Sequence, residues 1–174
     1  MKTSTFVICI ASLGLLIGCS ANNASVRTSV SPIDGKSTTI ITDSAFSLSY
    51  IYPANDEGLG IRLEGGRVFD KEEASIIFDA STDHGFREAF FKADGETYFM
   101  TPSAALTDFK ADKHGVRASK EFMIGCSELV KVANSKDVYL RITYSNGFVD
   151  YNVSKPFRGS DGFGMVKKIA SYCV

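Results

Sequence analysis

Three glycine-containing dipeptides, each set between apolar runs, constrain this chain more than any other feature. Gly65-Gly66, Asp94-Gly95 and Asn146-Gly147 all tolerate the positive φ that two-residue hairpin turns demand. The clearest predicted hairpin joins Val138–Tyr144 to Phe148–Val153, and a second joins Phe86–Lys92 to Thr97–Thr101. Upstream, Phe46, Leu48, Tyr50 and Tyr52 alternate with Ser47, Ser49 and Ile51, the period of two of a half-buried strand. Further strands are expected at 38–42, 59–64, 74–79 and 115–123. Two segments break this period. Cys126, Leu129, Val130 and Ala133 share one face of a helix expected at about 127–134, and Phe163, Val166, Ile169, Ala170 and Cys173 share one face of another at about 161–172. Ser160 or Asp161 supplies the second helix with an N-cap oxygen. Antiparallel strands, tight turns and few helices predict a β-rich α+β domain. Its expected form is sandwich-like antiparallel sheets with two short helices, the last at the C-terminus.

The amino-terminal residues follow a different logic. Lys2 is the only charge in the first 26 residues, and Phe6 to Ile17 is an almost unbroken apolar run. That run is short of the ~20 residues a permanent membrane span needs. A charged start, a short apolar core and small residues at the cut describe a removed secretory signal. An ordinary signal shares these traits; Leu16-Ile17-Gly18-Cys19 adds a more specific one. It resembles the lipobox of bacterial lipoproteins, in which an apolar pair and a small residue precede the modified cysteine. The resemblance covers only the start of the chain. It implies cleavage after residue 18, diacylglycerol on the Cys19 thiol and, commonly, a further acyl chain such as palmitate on the new amino group. Two or more chains anchor stably where one binds marginally. In such proteins Ser20, in place of aspartate, is compatible with sorting to the outer membrane, with the domain expected to face the periplasm.

Setting residues 1–18 aside leaves 156 of the 174 residues, enough for one domain with a core. Residues 19–36, rich in Ser, Asn, Ala and Thr with Pro32 and Gly35, read as a lipidated flexible tether. The globular domain is then expected at 37–174. Lys plus Arg falls from 19 to 18 while Asp plus Glu stays at 20, and no block of like charge occurs. Nothing in this pattern calls for a nucleic-acid partner.

The lipoprotein resemblance also simplifies the cysteines. Cys9 leaves with the signal and Cys19 takes lipid, so Cys126 and Cys173 remain. Two thiols on apolar helix faces, in an oxidising compartment, are expected to form a disulfide. Closing their 47-residue separation is worth about 4 kcal/mol in the chain-entropy description.

Few residues suggest chemistry. Gly125-Cys126-Ser127 sits where a helix begins, a setting that favours thiolate, and His84 or His114 would be the base for a hydrolase of that kind. Each histidine lies in a short polar turn, Asp83-His84-Gly85 or Lys113-His114-Gly115. The two supply no metal-ligand spacing of the zinc type. Gly159-Ser160-Asp161-Gly162-Phe163-Gly164 lacks the Gly-Lys-Ser/Thr ending of a phosphate-binding loop. No catalytic set, metal site or cofactor is therefore assigned. More suggestive is Tyr139 with Arg141 on the outer face of one hairpin strand, since Tyr and Arg are enriched at protein interfaces. The sequence points to a lipid-anchored envelope domain, more a binding or assembly-accessory module for a protein or glycan than an enzyme. A hydrolase using Cys126 or a His84/His114 site, and a surface-displayed adhesion factor, are the alternatives.

Overall fold

A computed structural model describes residues 24–43, 50–51, 60–113, 115–154 and 162–174. The signal expected at 1–18, Cys19, His114, the expected caps Ser160 and Asp161, and most of the strand expected at 46–52 lie outside the described residues.

Eleven described strands form one antiparallel sheet that folds into a β-rich, sandwich-like α+β domain. In chain order they are β1 (Ala24–Val30), β2 (Ser37–Asp43), β3 (Tyr50–Ile51), β4 (Ile61–Phe69), β5 (Glu73–Ala80), β6 (Phe86–Ala93), β7 (Glu96–Pro102), β8 (Asp108–Asp112), β9 (Gly115–Gly125), β10 (Val138–Tyr144) and β11 (Gly147–Asn152). Helix α1 (Cys126–Asn134) lies between β9 and β10, and α2 (Gly162–Ala170) follows β11. The spatial order is β1-β2-β4-β5-β9-β7-β6-β10-β11, with β3 beside β4 and β8 beside β9.

The sheet divides at β7. Glu96 to Met100 pair with β6, whereas Thr101 and Pro102 pair with Met123 and Phe122 of β9. One strand thus serves both halves, the corner device of sheets whose strands change layer. Inward residues alternate as the period of two requires. They include Ile76 and Phe78 on β5, Phe122 and Ile124 on β9, and Leu140 and Ile142 on β10. The helices close this core with Leu129 and Val132 from α1 and Phe163, Val166 and Ile169 from α2.

An unexpected cation sits at the corner. Lys120 of β9 points inward opposite Phe78 and is only 6% exposed. Its Nζ donates to the carbonyls of Phe86 (3.0 Å) and Ala105 (3.2 Å). Burial holds its pKa below the ordinary lysine value. The two carbonyls come from β6 and from the loop after β7, so the ammonium ties the two halves where their ladder is shortest.

Two of the expected turns are displaced. Asp94-Gly95 closes β6–β7 as expected, with both residues at positive φ (47° and 95°). The β10–β11 turn is instead Ser145-Asn146, with Tyr144 paired to Gly147, one residue earlier than Asn146-Gly147. Gly65-Gly66 is not a turn. Both lie inside β4, where the register to β5 shifts between Leu63 and Gly65. A Cβ on Gly66 would run into the Ser75 carbonyl and meet Ile169 Cδ1 at 2.7 Å. These glycines serve close approach at a bulge, and the reversal falls to Asp70 and Lys71, at φ 49° and 61°.

The stretch read as a tether also behaves differently. Ala24–Val30 pairs residue for residue with Ser37–Asp43, through a turn containing Pro32 and Gly35. Its Ser, Val and Thr residues bury little, so the pairing rests on the backbone ladder and on a Thr28–Thr39 hydroxyl contact of 3.0 Å. Low burial concealed an edge strand. Among the described residues no helix is long and apolar enough to cross a membrane.

Replacing Gly66 with Val is expected to destabilise the domain by at least about 2 kcal/mol, because neither the Ser75 backbone nor the α2 core can give way. A lowered urea midpoint with unchanged slope is the readout.

Candidate functional site

The structure places Cys126 as the first residue of α1, where the sequence expected a helix start. The helix has no side-chain cap; instead the Cys126 amide donates to the Glu72 carbonyl at 2.8 Å, docking the helix onto the β4–β5 turn. The sulfurs of Cys126 and Cys173 stand at disulfide distance, 2.10 Å apart with Cα atoms separated by 5.3 Å. Both residues are buried, at 3% and 9% exposure. A sulfur bonded in this way offers no thiolate.

His84 is far from that position. It follows β5, whose Glu73 end pairs with Gly125 next to Cys126 and whose Ala80 end pairs with Ala118. Eight residues of extended strand therefore separate them, about 23 Å at the usual rise. The imidazole Nε2 of His84 lies 3.5 Å from Asp83, on a half-exposed loop whose His84 amide donates to the Thr82 hydroxyl. The geometry thus keeps His84 and Cys126 at opposite ends of one strand. Among the described residues no group of three or more His, Cys, Asp or Glu is arranged to hold a metal ion.

A different set of residues does converge. On the outer face of β6, β7, β10 and β11 the register aligns Phe99, Phe90, Arg141 and Asp150 in one transverse row. The row below it is Thr97, Lys92, Tyr139 and Asn152. Arg141 donates from Nε to Asp150 Oδ1 (2.6 Å) and from Nη2 to Oδ2 (2.7 Å), a two-pronged pair that fixes the guanidinium plane. The Asp150 carboxylate raises the Arg141 pKa above its already high ordinary value. Above the same guanidinium the Phe148 ring centroid lies at 4.1 Å, with the Phe90 centroid at 5.7 Å. Phe90 and Phe99 meet at 5.4 Å between centroids with a 55° tilt.

These aromatics are not core residues. Phe99 is 73% and Phe148 60% exposed. Beside the Phe90–Arg141–Asp150 row the face dips into a hollow of about 590 Å³ whose lining includes Phe90, Lys92, Thr97, Tyr139, Arg141 and Asp150. Its rim is stiffened by the β6–β7 turn. The Asp94 carboxylate there accepts the amides of Lys136 and Asp137, and those hydrogen bonds lower its pKa.

The opposing outer face has another character. Arg117 pairs with Asp79, and Glu121 is shared by Ser75, Ser103 and Arg67. Charges there meet charges along the sheet, and aromatic rings do not. The sequence identified Tyr139 and Arg141 as outward; it missed Asp150, Phe90 and Phe99 as their neighbours, because neighbourhood across strands depends on register.

Comparison with protein-family models, with curated proteins and with solved structures returns no match.

Replacing both Cys126 and Cys173 with Ser is expected to cost about 2–5 kcal/mol, seen as a lower thermal midpoint. A midpoint equal to that of the parent would show that the two sulfurs are not bonded in the folded protein.

Proposed function

We propose that this protein is a lipid-anchored component of the bacterial cell envelope that binds a protein partner through the outer face of β6, β7, β10 and β11, without catalysing a reaction. The observation that carries this reading is the arrangement around Arg141: a guanidinium held flat by Asp150, stacked under Phe148 and flanked by Phe90 and the exposed ring of Phe99. Arg and aromatic side chains dominate the few positions that contribute most of the free energy of protein interfaces. Here Arg141 is held by Asp150 and stacked on Phe148 without a partner, and a side chain fixed in advance loses less entropy on association. A protein partner is favoured over a glycan because the most exposed rings of this face, Phe99 and Phe148, bring no hydroxyl to share with a sugar.

The anchor belongs to the same reading. The Leu16-Ile17-Gly18-Cys19 segment supports lipid on Cys19 and attachment to the outer membrane with the domain facing the periplasm. Confinement to that surface raises the effective concentration of any partner held in the same envelope. This favours an accessory that works with moderate affinity in an assembly.

Two experiments test the two parts separately. Crosslinking in the native envelope followed by purification should recover a reproducible protein partner with the parent chain. Phe99→Ala with Arg141→Ala should reduce that recovery about tenfold or more while leaving the unfolding midpoint close to the parent's. Undiminished recovery from the double variant would overturn the assignment of the face. Independently, Cys19→Ser should accumulate as unlipidated precursor; metabolic labelling with a fatty acid that still marks this variant would overturn the anchor.

A further inference from the structure

Among the described strands the aromatic face ends at β11, the last strand of the sheet order. No other described strand pairs with it on the side away from β10. The direction of its backbone groups follows from one hydrogen bond: the Val153 amide donates to the Val138 carbonyl of β10 at 2.9 Å. In an antiparallel ladder the groups alternate. Those of Val149 and Tyr151 therefore face β10, and those of Phe148 and Asp150 face away from it.

Proteins commonly blunt such an edge with lysine, proline, a bulge or an unmatched charge. Gly147–Asn152 reads Gly-Phe-Val-Asp-Tyr-Asn. It has no lysine and no proline, and its single charge, Asp150, is held toward β10 by Arg141. The opposite border of the sheet differs, because β1 carries Arg27 in mid-strand.

We infer that β11 is the docking edge for an extended segment of the protein partner, which adds a strand to the sheet beside the aromatic face. Strand addition of this kind draws affinity from main-chain hydrogen bonds and specificity from alternate side chains. The alternate positions are set by what β11 presents. The residue of the added strand opposite Asp150 meets a carboxylate that its pair with Arg141 leaves 40% exposed, so a lysine or arginine is complementary. Two positions away, the residue opposite Phe148 meets an exposed ring and is apolar. The partner segment is thus an extended peptide with a cationic residue spaced two from an apolar one. The inference rests on the proposal that this face binds protein, and adds to it the conformation and chemistry of what is bound.

The test uses a displayed library of random peptides selected on the immobilised parent chain. Selected peptides should share a lysine or arginine two positions from an apolar residue. They should bind Phe148→Pro about tenfold more weakly than Phe148→Ala. Both variants lose the ring, and only the proline removes the outward amide; such a site on an edge strand tolerates proline. Because the proline variant still risks disturbing the hairpin, amide exchange on the parent chain gives a second readout. A bound peptide should slow exchange at Phe148 and Asp150. Failure to select peptides, selection without the cationic–apolar spacing, equal binding by the two variants, or unchanged exchange at Phe148 and Asp150 would each overturn strand addition. If Phe99→Ala with Arg141→Ala loses the native partner while Phe148→Pro retains it as well as Phe148→Ala does, the face stands and the edge falls.

Discussion

The fold depends on a single strand shared between two sheets. β7 spends its first five residues on β6 and its last two on β9. That handover makes two layers out of one continuous hydrogen-bonded surface. The ladder at the corner is only two residue pairs long, and a lysine completes it. The ammonium of Lys120 donates to the carbonyls of Phe86 and Ala105. Burying a charge is costly unless it is hydrogen-bonded, and the lowered pKa of Lys120 reflects that cost. With the corner fixed, α1 and α2 pack on the core, and Cys126 and Cys173 come within bonding distance.

The same corner explains why the two outer faces differ. On the β4–β5–β9 side, outward positions carry Arg67, Ser75, Asp79, Arg117 and Glu121, which satisfy one another. On the β6–β10 side, outward positions carry aromatic rings around one guanidinium. Buried inward positions need apolar residues on both halves, so fold stability does not call for exposed rings at Phe99 and Phe148. That is the physical reason to look for function there and not at Cys126, whose sulfur, amide and neighbours are all used by the fold.

Much of the architecture was legible in the sequence because hydrophobic period and helix faces are local properties. The alternation in Val138–Tyr144 and the apolar stripes that begin at Cys126 and end at Cys173 lead directly to β10, α1 and α2. Register was less legible. Taking Asn146-Gly147 as the turn sets Arg141 opposite Asn152; the Ser145-Asn146 turn moves the strand by two and sets it opposite Asp150. One residue at a turn thus hid the pair that organises the candidate site. Gly65-Gly66 misled for a related reason, since paired glycines suit a tight reversal and a close strand approach equally. β1 escaped notice because an edge strand with little to bury has the composition of a linker.

The central claim is that one outer face meets a partner and the other does not. A photoreactive side chain substituted at Phe99, and in a second variant at Lys110 of β8, which pairs with the outward Arg117 on the opposite half, tests this directly in the native envelope. The account predicts a protein adduct from position 99 and little or none from position 110. Equal adducts from both positions, or an adduct from position 110 alone, would contradict it.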